Sequence, residues 1–350
     1  MCVINRTLNM SVFHYRKHLF VPCHIYILAR VFSHAALETY LTRLQDVVKG
    51  EISKWCAEAG PVEVYTAARS LTFRIAVRVL LGLKLDEQRI AHLSKTFEQL
   101  MNNLFSLPVD APLSGLRKVR KHIFINHITS LTILTSRVFV LKRPGTEMHI
   151  DQAEKIGYLP LYETAVELIF AAHSTTASAS TSLILQLMRH SEVTERARAE
   201  LEAEVLIVDA PSSCCLYYCV VKELLRFLPP VSGGYRTVLQ TSIFPHLQGY
   251  QIPKGWSVMY SIRDTHETSR FATDSGREQN SRFSTCHSGG GVRRCIGREL
   301  ALLVLKTLSV ELLATADMQT VPIVHPVHGL HVHFNYRNYV GGRNRRESTS

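Results

Sequence analysis

A stretch from about Tyr162 to His190 is apolar around most of its helical circumference, and this constrains the fold more than any other feature. A helix of that kind needs neighbours on every side, so it belongs in the middle of a protein rather than on its surface. It contains Phe170-Ala171-Ala172-His173-Ser174-Thr175-Thr176. Other helical patterns surround it. Ser33 can cap a helix in which Leu37, Leu41, Leu44, Val48, Ile52 and Trp55 recur at helical spacing up to Gly60-Pro61. Further helices fit Thr66 to Leu81 and about Asp86 to Phe105, closed by Pro108. Two shorter ones between 192 and 227 are divided by Pro211, and another spans roughly Gly297 to Thr315. Strands are few and short: Trp256 to Tyr260, and the alternating Leu330-His331-Val332-His333-Phe334. Residues 118 to 155 are poorly patterned, and no internal repeat is present. Many helices and few strands, without βαβ order, predict a mainly α (α+β) domain.

The 350 residues are 46% hydrophobic and 20% charged, which is an ordinary globular balance. The net charge of +11 is spread along the chain, apart from Arg343, Arg345 and Arg346 in the tail. Diffuse basicity suits a membrane surface or an acidic redox partner better than a nucleic-acid groove, so no nucleic acid is expected. The eight cysteines are irregularly spaced with no CxxC pair, which argues against a disulfide framework and for a reducing compartment. No stretch reaches the roughly 18–20 apolar residues of a bilayer span. The best N-terminal candidate, His18 to Ala29, is short and holds Pro22, while Arg16 and Lys17 spoil a signal peptide. On this reading the chain has no membrane anchor.

Chemistry concentrates at Gly289-Gly290-Gly291-Val292-Arg293-Arg294-Cys295-Ile296-Gly297, directly before a helix. Glycines such as Gly291 and Gly297 let the backbone turn tightly and approach a flat ligand. A cysteine at a helix start meets unpaired N–H groups and the positive end of the dipole, both of which favour a thiolate. Arg293 can pair with a carboxylate, and a haem carries two. A phosphate loop would need Lys-Ser/Thr after its last glycine, which is absent. Haem ligation and an inert buried thiol both remain open on these residues alone. Glu223-Leu224-Leu225-Arg226 places an acid and a base on one helical face, which by itself is a common surface pair. Thr175 either bonds back to a preceding carbonyl or presents its hydroxyl to a ligand. A zinc site using His325, His328, His331 and His333, or Cys214, Cys215 and Cys219, lacks tetrahedral ligand spacing.

The order central-helix threonine, ExxR, then GxRxCxG before a helix resembles the cytochrome P450 superfamily. Phe170 to Leu183, Pro229 to Thr237, Ile252 to His266 and Thr320 to Val327 are similar to the retinoic acid hydroxylases of family 26. Val31-Phe32-Ser33 onward and Phe105-Ser106-Leu107-Pro108 point to its C subfamily. The resemblance implies a cytochrome P450 fold with small β-sheets and its N-terminal part missing. It implies haem b as cofactor, with Cys295 as axial ligand to the iron and Arg293 and Arg236 on the propionates. Thr175 would act catalytically at the oxygen site, and Glu223 with Arg226 would form a buried bracing pair. Phe170, Val231, Ser232, Gly233 and Val324 would line a retinoid pocket. The implied function is retinoic acid hydroxylation with O2 and electrons from NADPH-cytochrome P450 reductase, at the cytosolic face of the endoplasmic reticulum membrane.

The pattern has departures. Ser288 stands where the family usually has Phe, seven residues before the cysteine, and Ser174 stands where much of the superfamily has an acid. A small polar residue beside the sulfur admits water and weakens ligation. Residues 1–28 look unrelated, 29–337 form a truncated P450 domain, and 338–350 read as a disordered basic tail. Between His266 and Arg270 the chain skips a loop of the family pattern. The alternative expectation is therefore a catalytically inactive fragment with impaired haem binding.

Overall fold

The computed structural model describes residues 31–103, 158–204, 216–244, 249–273, 287–289, 294–320 and 329–337. Helix α1 (His34–Ala57) opens where Ser33 was expected to cap it: the Ser33 hydroxyl accepts the Ala36 N–H at 3.4 Å. Strand β1 (Val62–Glu63) leads into α2 (Val64–Ile75), capped by the Glu63 carboxylate, which accepts the N–H groups of Tyr65 and Thr66. The last turn of the expected helix widens into a π segment, Ala76–Leu80, where Leu81 N–H reaches Ala76 O at 3.0 Å. Gly82, at φ 64°, then ends it in the left-handed region. Helix α3 (Glu87–Asn103) follows, its first turn tied by Asp86 Oδ1 accepting from Arg89 N–H at 2.7 Å.

The apolar stretch is α4 (Tyr158–Arg189), starting a turn earlier than its pattern suggested. Pro160 is tolerated there because the first-turn N–H groups have no intrahelical partner. Among the described residues the remaining helices are α5 (Ser191–Glu204), α6 (Leu216–Phe227), α7 (Ile262–Thr273) and α8 (Arg298–Thr315). Pro211 and residues 118 to 155 lie outside the described residues.

Among the described residues three small antiparallel sheets flank the helices. β1 pairs with β7 (His331–Tyr336), which also pairs with β6 (Ala316–Thr320), Val332 facing both Val62 and Thr320. β2 (Gly233–Thr237) pairs with β5 (Ser257–Ser261), and β3 (Ser242–Phe244) with β4 (Tyr250–Ile252).

The core sits where α4 packs on α2 and α8, with α1 packed on both α8 and α2. Leu44, Leu71, Leu183, Ile184, Leu308 and Leu312 are fully buried. Each such side chain stabilises the fold by roughly 1.5–3 kcal/mol through lost apolar surface. Trp55 stacks on Phe334 at 5.3 Å, joining α1 to the β7 sheet. The expected mainly helical α+β class with small sheets is what the chain forms.

Candidate functional site

Helix α8 begins at Arg298 with Gly297 as its N-cap, and Gly297 offers no side chain to the first amides. Those amides stay available to an anion, and the helix dipole points the same way. Cys295 lies two residues before that cap. Its thiol is free and exposed, and its backbone N–H donates to Ser288 O at 2.8 Å. That bond closes the loop from the turn at 287–289 onto the helix start. Gly289 makes the turn possible with φ 73°, a conformation that costs a side-chain-bearing residue energy. An uncommitted thiol at an uncapped helix start is a donor set suited to a soft iron centre, so the residues present fit a haem. Gly291 and Arg293 lie outside the described residues. A Cβ on Gly297 would meet only the Phe32 ring at 3.8 Å, an ordinary contact.

His287 sits in the same turn and was not singled out by sequence. Both of its ring nitrogens are buried without a hydrogen-bond partner among the described residues. Burial, then the charges of Arg298, His266 and Arg294, lower its pKa to about 4. The imidazole is neutral at physiological pH.

Glu223 and Arg226 on α6 do pair: Arg226 donates Nε to Oε2 at 2.7 Å and Nη2 to Oε1 at 2.5 Å. The expectation of a buried pair needs correction. Arg226 is 16% exposed but Glu223 is 59% exposed, because only one side of α6 faces the core. The Arg226 carbonyl lies 2.8 Å from His266 Nδ1, which ties α6 to α7, a helix that sequence patterning missed.

On α4, the Thr175 hydroxyl donates to Ala171 O at 2.7 Å, the back-bond that its position allowed. Phe170 is half-buried and packs against the core. His173, overlooked as a candidate, is completely buried against the Phe73 and Phe97 rings, which also touch each other. Burial first and then Arg69 lower its pKa to about 4.

Arg236 is exposed on β2, donates to Tyr235 O at 2.8 Å and lies over the Tyr260 ring at 5.4 Å. Neither partner is a carboxylate, so its charge is still available to one. Val231 and Ser232 are exposed, and Ser232 O accepts the Ile262 N–H. Gly233 is required by packing, since a Cβ there would fall 2.5 Å from Tyr260 O. Val324 lies outside the described residues. So do His325, His328, Cys214 and Cys215, and no group of three metal-ligating side chains occurs among the described residues.

One helical span, Leu168–Arg189, is long and apolar enough to cross a membrane, but half of its window is buried inside the protein. A central core helix has the same composition.

Comparison with known proteins agrees with this geometry. The family model for cytochrome P450 matches residues 31–331. Human cytochrome P450 26C1 is 47% identical over 88% of this chain and 70% of its own length. Mouse cytochrome P450 26B1 is 40% identical over 88% of the chain and 68% of its length. Among solved structures, retinoic acid-bound cyanobacterial CYP120A1 superposes with a TM-score of 0.73 at 28% identity, covering 89% of this chain and 78% of that one. The haem domain of cytochrome P450DA gives 0.69 at 18% identity, covering 96% and 82%, and speaks for the fold alone. A free cysteine at an uncapped helix start, inside this fold and with these family 26 relatives, means that the chain belongs to the cytochrome P450 family and is a haem-dependent monooxygenase.

Proposed function

We propose that this chain hydroxylates retinoic acid, using haem b held through the Cys295 thiolate. The observation that carries the reading is the free, exposed Cys295 fixed by its Ser288 hydrogen bond at the uncapped start of α8. The family 26 relatives, and the retinoic acid in the CYP120A1 structure, support the choice of substrate. When bound, thiolate-ligated haem supplies the oxygen-activating chemistry, since thiolate donation favours O–O cleavage.

The protein's own residues do the rest. The unoccupied first amides of α8 would favour the anionic sulfur. Arg236 and, by family resemblance, Arg293 would hold the propionates; Arg236 is steadied by Tyr260 and has no carboxylate partner among the described residues. Thr175 presents a hydroxyl that can exchange its Ala171 bond for one to oxygen. Phe170, Val231, Ser232, Gly233 and Val324 line the retinoid side. Electrons come from NADPH-cytochrome P450 reductase, whose acidic surface suits a chain of net charge +11. The setting is the cytosolic face of the endoplasmic reticulum membrane.

The test is spectroscopic and then catalytic. Haem-loaded protein, reduced and exposed to carbon monoxide, should show the red-shifted Soret band of thiolate ligation. With reductase and NADPH it should convert retinoic acid to hydroxylated product. Cys295→Ala should lose the band; a thiolate-type spectrum in that variant would reject the assignment. A second reading, an inactive relative with weak haem retention, is favoured by one observation: Ser288, half-exposed, stands beside the cysteine loop where the family usually has a ring. Ser288→Phe distinguishes the two, because it should slow haem loss markedly only if the serine is what weakens the site.

A further inference from the structure

Strand β5 pairs with β2 on one side, and among the described residues no strand lies on its other side. The phase of the β2–β5 ladder follows from its two ends. Val238 N–H donates to Trp256 O and Ile262 N–H donates to Ser232 O, both at 2.8 Å. Opposed residues alternate between bonded and non-bonded pairs, so Arg236↔Val258 and Gly234↔Tyr260 are bonded, while Thr237↔Ser257, Tyr235↔Met259 and Gly233↔Ser261 are not. The backbone N–H and C=O groups of Ser257, Met259 and Ser261 therefore point away from β2. Ser261 O accepts the Thr265 hydroxyl at 2.6 Å, but the Met259 N–H and C=O have no partner among the described residues. Free strand edges are usually guarded by charge, proline or a bulge. β5 reads Ser-Val-Met-Tyr-Ser and carries neither charge nor proline, and its pairing with β2 runs without a bulge. The outer edge of β2 is guarded instead: Arg236 donates to Tyr235 O, and α7 packs back against β2 and α6.

We propose that β5 pairs antiparallel with β5 of a second copy of this chain, about a two-fold axis at Met259, giving a dimer with one sheet of order β2-β5-β5-β2. Such an isologous contact needs a strand that matches its own reverse, and Ser-Val-Met-Tyr-Ser does. Met259 exchanges N–H and C=O with Met259 of the second copy, the phase that its outward backbone groups require. Ser261 N–H reaches Ser257 O of the second copy, and Val258 stands opposite Tyr260 of the second copy, a favourable β-branched–aromatic pair. Charge agrees with this register. No like charges meet along β5, and the axis brings Lys254, just before one β5, toward Asp264 in the first turn of the second copy's α7, both exposed. Backbone bonds along one short strand are a small contact. Met259, 68% exposed, and Trp256, 63% exposed, add apolar surface toward the roughly 1,000 Å² that a stable dimer needs. Because a two-stranded sheet is marginal by itself, the pairing also steadies β2. The proposal goes beyond the oxidation chemistry and depends on neither haem nor retinoic acid.

Sedimentation velocity of the full chain, over about a hundredfold range of concentration, should show a species of twice the monomer mass that dissociates on dilution. Met259→Lys sets two like charges on the axis and should weaken that dimer about tenfold or more, with the circular dichroism spectrum unchanged because the side chain is already exposed. Tyr235→Lys adds the same charge to the same face of the sheet, but on β2, and should weaken it far less. Met259→Cys reads the register. Directly opposed residues of a bonded pair stand about 5.5 Å apart, within disulfide range, so mild oxidation should link position 259 to itself, which mass spectrometry identifies. Tyr260→Cys should give no self-link, since Val258 of the second copy stands opposite it. A chain that stays monomeric at every concentration overturns the proposal, as does a dimer indifferent to Met259→Lys. Equal loss in both lysine variants overturns it in favour of packing through the exposed face. A monomer that instead sediments with phosphatidylserine vesicles overturns it in favour of a lipid surface. Should Met259→Lys fail to fold, the self-link at 259 decides alone, and its absence overturns the pairing. The carbon monoxide spectrum, measured on the same samples, tests the haem assignment separately.

Discussion

Arg226 and Glu223 share two hydrogen bonds, yet the two side chains live in different surroundings. The guanidinium is largely covered, and hydrogen bonding to Glu223 raises its pKa despite the opposing effect of burial. The carboxylate is more than half exposed. Removing the exposed partner should therefore cost little: Glu223→Gln should lower unfolding free energy by about 0–1 kcal/mol, as for surface pairs. Truncating Arg226 also strips packing from its buried stem, so Arg226→Ala should cost more than Glu223→Gln. Urea unfolding of the two variants checks the order. Equal losses of about 3–5 kcal/mol would instead indicate a pair desolvated on both sides.

Strand β2 is held in register against β5 by two glycines, and they are not equivalent. A Cβ on Gly233 would lie 2.5 Å from Tyr260 O, a backbone atom locked in the ladder. One on Gly234 would meet the Tyr260 ring, which can swing away. Gly233→Ala should thus destabilise by about 1–3 kcal/mol and weaken retinoic acid binding, with Gly234→Ala clearly milder. Thermal melts and ligand titration separate these outcomes. Helices α1, α2, α4 and α8 were legible in the sequence because each carries a sustained apolar period and a start or stop signal such as Ser33 or Gly297. α7 was not, since Ile262–Thr273 is mostly polar and, among its described side chains, only Ile262 and His266 are buried. β1, β3 and β6 are too short, or too polar, for alternation to show. Cys295 was legible because glycine, cysteine and helix start are contiguous in the chain. The surroundings of His173 and the exposure of Glu223 were not, because they depend on Arg69, Phe73, Phe97 and the packing of α6, all distant in sequence.

Across the whole molecule, acid should act in two windows set by different groups. His173 and His287 have folded pKa values lowered by burial from 6.5 to about 4, so only the unfolded chain takes up their protons between those values. Stability must fall as pH drops through that window, by at most about 1.4 kcal/mol per pH unit for each ring. Glu87 answers lower down. Burial would raise its pKa, but hydrogen bonds from Arg74 and Lys54, together with their charges, bring it from 4.5 to about 2. Its pairing with Lys54, Arg74 and Arg78 joins α1, α2, the π segment and α3. A depressed carboxylate contributes stability above its unfolded pKa and loses it as pH falls toward the folded value. Since Glu87 is half exposed, solvent screening makes its share modest. Melting temperatures followed from pH 7 to 2 should show the two contributions separately. His173→Phe should flatten the fall between about pH 6.5 and 4 and leave the lower limb intact. Glu87→Gln should lower stability at pH 7, and its difference from the parent protein should vanish as pH approaches 2. A His173→Phe curve parallel to the parent throughout the upper window would mean that this imidazole is already protonated in the folded protein.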